Sequence, residues 1–286
     1  MTDPIKQNII SYYHSSQWIY KYFCYNDTSL GMHFGFWDKN TKNLQEALIN
    51  ENTIIIKLAG IRKGMRVLDA GCGVGGTAIQ IAEKTGAKVW GITITPSQVV
   101  QANKHAKKRS VDKLVTFSMQ DYTKTAFPSG FFDVVVGVES ICYASPKSLF
   151  LKEAFRLLKP QGRLVIADAY LNRKPANEEE MEIVNQFKWG FALSEFIMEE
   201  TMYEELRKTG FLNLQRKKMF REIEPSVRHF ANIGKKTRVV CNAAKFIPLS
   251  LSQAIYKNYI STKMSEIGYD KGLATYYIHS GEKPKR

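Results

Sequence analysis

The stretch that decides the fold is Arg66–Gly76, which reads RVLDAGCGVGG. Its first five residues are typical of a buried strand, and the glycines after them allow a tight turn into a helix. Backbone N–H groups at such a turn, together with the N-terminus of the next helix, can approach a ligand closely. We therefore expect a strand, a turn and a helix here, with a binding site at the turn.

Short apolar runs and helical patterns alternate from this stretch to residue 170. Further strands are predicted at KVWGIT (88–93), VTFSM (115–119), FDVVVGV (132–138) and GRLVIADAY (162–170), with helices over 75–85, 96–109 and 146–158. Two more strands are predicted over 211–217 and 274–280. This order predicts an α/β fold with a doubly wound, mainly parallel seven-stranded sheet and helices on both faces.

Three parts are predicted along the chain. Residues 1–50 form a helical segment crowded with aromatic side chains, residues 51–170 form the ligand-binding core, and residues 171–286 form a helical cap with the last strands. In the third part, a helix from Asn177 carries aromatic residues as far as Phe196 and is long enough to act as an inserted lid. It is followed by a helix from Thr201 to Gly210, a basic helical region over 226–247 and a helix over 250–268.

The 286-residue chain is strongly basic, with 41 Lys and Arg against 27 Asp and Glu. Residues 201–286 hold 17 of the basic and 7 of the acidic residues. We expect this part to meet an anionic membrane surface, and an ordinary solvated surface is the alternative. A nucleic-acid partner is not expected, because the basic residues are not interleaved with stacking aromatic residues.

Neither a targeting segment nor a disulfide framework is predicted from the sequence. No apolar run approaches the length of a membrane span, and the first ten residues are too polar for a secretion signal. The four cysteines are far apart, without the spacing of a zinc site or a disulfide framework. These features favour a folded cytoplasmic protein that is at most peripheral to a membrane.

The glycine turn has two possible ligands. Gly71, Gly73 and Gly76 satisfy the GxGxxG pattern of dinucleotide-binding proteins. However, Asp69 directly precedes the glycines, where a pyrophosphate would meet like charge, and Thr93 stands where a ribose-binding acid is expected. S-adenosylmethionine carries a cationic ammonium and a sulfonium, so an acidic residue at this strand end would attract it.

The run DAGCGVGG resembles the first motif of class I S-adenosylmethionine-dependent methyltransferases. This resemblance implies S-adenosylmethionine as the cofactor, with Asp69 and the glycine backbone at its methionine moiety. It also implies ribose contacts from Thr93 and Gln98, with a place in a helix capping box as the alternative role of Gln98. The cofactor-binding residues predicted in this way are Asp69, Gly71, Cys72, Gly73, Thr93, Gln98, Asp121, Tyr122 and Glu139, with Asp121 at the adenine amino group.

A second set of motifs concerns the methyl acceptor. The octet ESICYASP (139–146) resembles a pattern of sterol and triterpene C-methyltransferases. Residues 11–38 and the tail GYDKGLATYYIHSGEKP (268–284) resemble tocopherol and sterol methyltransferases. The resemblance implies C-methylation of a small apolar, isoprenoid-like acceptor such as a sterol, a terpene or a prenylated aromatic compound. The predicted catalytic residues are Glu139, Tyr143, which replaces the family's histidine, and His33.

Alkene methylation requires a negative group near the reacting carbon, because it produces a carbocation. A carboxylate about 4 Å from a cation contributes about 4 kcal/mol at an effective dielectric constant of about 20, or about a thousandfold in rate. Glu139 is the candidate, and a helix-capping role is its alternative.

Other reactions stay open. They are N-methylation of a small or alkaloid-like amine and C-methylation of a phosphorylated isoprenoid. No metal site is predicted, because none of the five histidines stands at ligand spacing from another and sulfonium methyl transfer depends on proximity and orientation.

Overall fold

The computed structural model describes residues 3–244 and 250–285. Its centre is a seven-stranded sheet in the order β3-β2-β1-β4-β5-β7-β6. The first five strands in chain order run parallel to one another, and β7 is antiparallel to both of its neighbours. The strands are β1 Arg66–Ala70, β2 Lys88–Thr93, β3 Val115–Met119, β4 Phe132–Val138, β5 Leu158–Leu171, β6 Leu212–Lys218 and β7 Ala274–Glu282. The predicted α/β sheet is therefore confirmed.

The strand order reverses between β1 and β4, so the crevice at their carboxyl ends is the expected ligand site of an open α/β sheet. Helices cover both faces of the sheet and this crevice. They are α1 Pro4–Phe23, α2 Leu44–Ala59, α3 Gly76–Thr85, α4 Pro96–Lys108, α5 Lys147–Leu157, α6 Glu178–Gly190, α7 Glu199–Thr209, α8 Phe220–Ala244 and α9 Ser250–Asp270.

The helices α1, α6, α8 and α9 pack together as a cap. In this cap α9 contacts α1, α6 and α8, and Asn258 Nδ2 on α9 donates a hydrogen bond to Ser16 Oγ on α1 at 2.9 Å. Tyr12 of α1 is buried, and its hydroxyl lies 3.4 Å from Asn258 Oδ1. The aromatic N-terminal segment is therefore a wall of the cap. The boundary predicted at residue 50 falls inside the continuous helix α2.

Two predicted helices have different bounds in the structure. The helix expected to continue to Phe196 ends at Gly190, and a side chain at that glycine would come within 2.8 Å of Ser261 on α9. The basic helix expected from residue 226 begins at Phe220 and contains Pro225. The sequence misleads here because proline usually marks a helix boundary. Its predicted end, 245–247, lies outside the described residues.

Two further elements begin a few residues away from their predicted starts. Helix α7 starts at Glu199 rather than at Thr201, and β5 starts at Leu158 rather than at residue 162. Within residues 3–244 and 250–285, no helix combines the length and apolarity that crossing a membrane requires.

Candidate functional site

Two cavities meet at the carboxyl ends of β1 and β4. We call them the glycine-turn cavity, of about 150 Å³, and the aromatic cavity, of about 270 Å³. Every candidate site residue from the sequence lines the glycine-turn cavity: His33, Asp69, Gly71, Cys72, Gly73, Thr93, Gln98, Asp121, Tyr122, Glu139 and Tyr143. The two cavities share the residues Tyr13, Met32, His33, Glu139 and Tyr143.

The glycine turn is fixed by contacts that leave no room for side chains. Gly71 has a φ of +91°, and a Cβ there would lie 2.4 Å from the Cβ of Ser140. The Ser140 hydroxyl donates to the carbonyl of Ala70 at 2.6 Å. The N–H groups of Gly71 and Cys72 both donate to the carbonyl of Ile92. The turn after β1 is thus held by the neighbouring strands β2 and β4.

Asp69, at the end of β1, is a buried carboxylate with spare hydrogen-bonding capacity. It is 2% exposed, and its Oδ2 atom has no hydrogen-bond partner among the residues that the structure describes. Burial raises the pKa of Asp69 to about 7, against smaller lowering effects of the Ala78 N–H group and His33. An unpartnered buried oxygen on a cavity wall fits the cationic ammonium of S-adenosylmethionine. The glycine turn beside it fits a ligand that approaches the backbone.

The predicted ribose residues contact each other. The hydroxyl of Thr93 donates to Gln98 Oε1 at 2.7 Å. The Thr95 N–H donates to Thr93 Oγ1 at 3.2 Å, and no side chain caps α4. The capping-box alternative for Gln98 is therefore wrong, and its amide lies on the cavity wall with Nε2 available as a donor.

Asp121 and Tyr122 follow β3 and face the same cavity from the other side. Tyr122 donates its hydroxyl to the carbonyl of Ser140 at 2.9 Å. Asp121 is ion-paired with Lys6 from the first turns of α1, at 2.6 Å. The hydrogen bonds from Lys6 and Thr123 outweigh burial and hold the pKa of Asp121 below its usual value. The sequence did not indicate that α1 reaches this loop.

Glu139 lies on the wall between the two cavities. Its backbone φ is +45°, a conformation that is strained for a residue with a side chain. Its Oε1 atom accepts a hydrogen bond from the Phe34 N–H at 2.8 Å and lies 3.0 Å from the Tyr276 hydroxyl oxygen. Burial, followed by the nearby Glu51, raises the pKa of Glu139 well above its ordinary value. The side chain caps no helix, so that alternative is wrong.

Glu51 and Tyr276 are site residues that the sequence analysis missed. Glu51 is fully buried on α2 and lies 2.5 Å from Nδ1 of His33. Tyr276, on β7, donates to Glu51 Oε1 at 2.9 Å. A signal for Glu51 was available, since it lies on the helix stripe that also buries Leu48 and Ile55. A charged residue on such a stripe is unusual unless it is paired.

His33, Glu51 and Glu139 each offer one atom of a type that binds metals, within 4.8 Å of one another. Protein donors already engage three of the four carboxylate oxygens, from Phe34, Gly35, His33 and Tyr276. We therefore assign the cluster to hydrogen bonding between its own members rather than to a metal ion.

Aromatic and aliphatic side chains line the aromatic cavity, and residues of α1, α6, α8 and α9 are among them. Tyr143 donates its hydroxyl to the carbonyl of Phe191 at 2.9 Å and accepts from the Tyr13 hydroxyl at 3.1 Å. The hydroxyl proton of Tyr143 is therefore used in a hydrogen bond to the segment after α6. The rings that line the cavity belong to Tyr13, Trp18, Tyr20, Phe23, Phe34, Tyr143, Phe187, Phe191, Phe196, Phe230 and Tyr259.

The ionisable side chains of this cavity that carry carboxyl groups are Glu139 and Asp168. Within the described residues, its lining contains no Lys or Arg. Asp168 accepts from the N–H groups of Cys142 and Ala169, and its burial raises its pKa to about 6. The cavity suits an apolar or positively charged molecule better than an anionic one.

Sequence comparison identifies relatives of the core. A family model described as a methyltransferase domain matches residues 61–221. The 27-O-demethylrifamycin SV methyltransferase of Amycolatopsis mediterranei is 36% identical over 148 residues, 52% of this chain and 54% of that protein. A sterol 24-C-methyltransferase of Schizosaccharomyces pombe is 30% identical over 214 residues, 73% of this chain and 54% of that protein. The chain spans about half the length of the curated relatives it matches.

Comparison of structures extends the likeness to nearly the whole chain. The crystal structure of the 4+2 cyclase SpnF superposes with a TM-score of 0.82 at 21% identity, covering 99% of this chain and 98% of that one. This match concerns the fold alone, including the cap. Because the name of that neighbour is that of a cyclase, the fold by itself does not define the reaction.

Proposed function

Since the chain belongs to the class I S-adenosylmethionine-dependent methyltransferases, as its glycine motif predicted, we propose that it methylates a carbon atom of an apolar, isoprenoid-like acceptor. The acceptor would be a sterol, a terpene or a prenylated aromatic compound. The observation that carries this proposal is the position of Glu139 on the wall shared by the glycine-turn cavity and the aromatic cavity.

Each of the two cavities would bind one reactant, the glycine-turn cavity the cofactor and the aromatic cavity the acceptor. S-adenosylmethionine supplies an electrophilic methyl group on sulfur. Asp69 would hold its ammonium, Thr93 and Gln98 its ribose, and Asp121 its adenine. The aromatic cavity would hold the acceptor with its reacting carbon toward the shared wall. The aromatic rings around the acceptor would keep water away from a carbocation, which water would otherwise capture.

Glu139 acts where positive charge develops. As the alkene of the acceptor bonds to the methyl carbon, the C–S electron pair passes to sulfur and a carbocation remains on the acceptor. The carboxylate of Glu139 stabilises that charge, and the aromatic faces around it add cation–π attraction. Loss of a proton from the adjacent carbon then restores an alkene.

N-methylation of an amine is the second candidate, and one observation favours it. The aromatic cavity carries two carboxylates, Glu139 and Asp168, either of which could pair with a protonated amine. A phosphorylated isoprenoid is less well supported, because phosphate groups are usually bound by Arg or Lys and the described lining contains neither.

The test is to identify the methylated atom. The protein is incubated with S-adenosylmethionine labelled in its methyl group and with panels of sterols, terpenes, prenylated phenols, amines and prenyl diphosphates. NMR of the labelled methyl group distinguishes attachment to carbon, nitrogen or oxygen. We expect C-methylation of an uncharged apolar acceptor. Methylation confined to amines would favour the second candidate. The Asp69→Asn variant is the control, because methyl transfer that depends on this site should be weaker in it.

We also propose that α8 rests on an anionic membrane surface in which an apolar acceptor is dissolved. Lys236 and Arg238 on α8 are exposed and form no ion pair within the described part of the chain, whereas Lys235 pairs with Glu266. Ile233 and Thr237, on the same helix, line the aromatic cavity. The unpaired cations therefore lie beside a wall of the cavity that would receive the acceptor.

A further inference from the structure

The fully buried Tyr276 hydroxyl lies between two carboxyl groups. It is 2.9 Å from Oε1 of Glu51 and 3.0 Å from Oε1 of Glu139. A tyrosine hydroxyl has one proton to donate, so it can donate to only one of these oxygens. The other contact is a hydrogen bond only if its carboxyl group is protonated and donates to the tyrosine oxygen. If both contacts are hydrogen bonds, the two carboxyl groups share one proton.

The hydrogen bonds around the pair indicate which group holds this proton at rest. Glu51 also faces His33 Nδ1 at 2.5 Å and accepts from the Gly35 N–H at 3.1 Å, as expected of an ionised carboxylate. Glu139 accepts one backbone N–H, from Phe34, and its Oε2 has no partner within the described residues. Glu139 is accordingly the protonated member, and Tyr276 donates to Glu51.

Electrostatics supports the same assignment. Two adjacent buried carboxylates cannot both ionise without a large cost in free energy. Burial and the charge of Glu51 both raise the pKa of Glu139. Among the described residues, the other titratable groups near Glu139 include His33, Asp168, Tyr13, Tyr143, Cys24 and Cys142, and none of these is a Lys or Arg.

We propose that Glu51 and Tyr276 are positioning residues that share one proton with Glu139 and release it toward Glu51 when positive charge forms in the aromatic cavity. In this step the proton of Glu139 passes to the Tyr276 oxygen while the Tyr276 proton passes to Glu51. Two O–H bonds break and two form. The negative charge moves from Glu51 to Glu139, next to the cation.

The second half of the step rests on the proposed C-methylation. Glu139, now ionised, takes a proton from the carbon adjacent to the cationic centre. The C–H bond breaks, its electron pair forms the new alkene, and an O–H bond forms on Glu139. Both carboxyl groups are then protonated, and one proton passes to water after product release. This restores the resting pair.

Infrared spectroscopy of the protein without an acceptor tests the shared proton independently of activity. The measurement is made at alkaline pH, where Asp69 and Asp168, with pKa values of about 7 and about 6, are ionised. We expect a carbonyl band of one protonated carboxyl group. It should disappear in Glu139→Gln, because that change removes the protonated group. It should shift in Glu51→Gln and in Tyr276→Phe, because either change removes a hydrogen-bonding partner of the shared pair. Tyr277→Phe, the neighbouring residue on β7, should leave the band unchanged.

Kinetics with an accepted substrate supplies the second readout. Tyr276→Phe should lower kcat roughly tenfold to a hundredfold with little change in KM, since it removes the path of proton exchange. Absence of the carbonyl band in the folded wild-type protein would overturn the shared proton, whatever the substrate. A shifted band with unchanged kcat would overturn its role in the reaction. Failure to find an isoprenoid substrate would count against the proposed function and leave the infrared result valid.

Discussion

Lys6 Nζ lies 2.6 Å from Oδ2 of Asp121, which joins the first turns of α1 to the loop after β3. Both residues line the glycine-turn cavity. The N-terminal helix and the predicted adenine-binding residue are therefore in direct contact, and α1 covers the site in which the cofactor would bind.

Breaking this contact should make the cofactor leave faster. We expect Lys6→Met to raise the dissociation rate of S-adenosylmethionine by a few-fold, because partly exposed ion pairs contribute up to about 1 kcal/mol. Stopped-flow fluorescence measures the rate. Lys21→Met, at the other end of α1, is the matched control, and equal rates in the two variants would contradict a closing role for Lys6.

The Asp69→Asn substitution should stabilise the protein without ligand and weaken cofactor binding. The pKa of Asp69 is raised to about 7 from an ordinary 3.8, so keeping it ionised in the folded protein costs free energy that grows as the pH rises between these values. At about one pKa unit per 1.4 kcal/mol, removal of the charge should add up to about 4 kcal/mol above pH 7. Thermal unfolding and calorimetric titration measure the two effects.

The exposed Asp112, before β3, provides the control for this variant, since Asp112→Asn should change neither quantity. A lower unfolding temperature for Asp69→Asn at alkaline pH would contradict the assignment of an unpaired buried charge.

Cofactor binding should depend on pH through the same group. A cationic ligand favours the ionised form and lowers the pKa of Asp69 in the complex, so below about pH 7 binding must expel a proton. The affinity should therefore fall as the pH falls through this range and level off above it. Calorimetry in buffers of different ionisation enthalpy counts the released protons. Proton release that persists in Asp69→Asn would show that another group is responsible.

Glu139→Gln should lower kcat by up to about a thousandfold with little effect on KM, because the charge acts on a cation present only during the reaction. Glutamine retains the length, and its amide oxygen can still accept from the Phe34 N–H. Steady-state kinetics with the true acceptor gives both constants. If KM rises as well, the acceptor is a protonated amine, and an unchanged kcat would remove the carbocation role.

Membrane attachment should depend on α8. We expect vesicle flotation to increase with the fraction of anionic lipid and to decrease with salt, because each exposed cation contributes about 1 kcal/mol near such a surface. Replacing both Lys236 and Arg238 by Glu should abolish binding to the vesicles. The control Lys113→Glu, on the loop before β3, should not affect this binding. Flotation that does not depend on the fraction of anionic lipid would indicate an ordinary solvated surface.

The sheet and the glycine turn could be predicted because their signals are local. Strand and helix periodicities are read over windows of a few residues, and Asp69 stands directly before its glycines. The partners of Tyr276 lie 225 and 137 residues away in sequence, at Glu51 and Glu139. No local pattern brings three elements together, so this cluster became visible only in the folded chain.

The helix that was expected to reach Phe196 shows a second limit. Its aromatic spacing is helical, but the helix ends in a turn in which Ala192 has a φ of +57° and the Leu193 N–H donates to the Lys188 carbonyl. Alanine occupies the left-handed position that glycine usually takes, so the sequence carried no signal for this end.

The left-handed backbone of Glu139 has a consequence for protein engineering. Glycine or asparagine adopts such a conformation at lower cost, so a search for thermostable variants would tend to replace Glu139. The variant selected in this way would lose the carboxylate between the two cavities. Position 139 is therefore one at which screens for heat resistance and screens for turnover should select opposite residues.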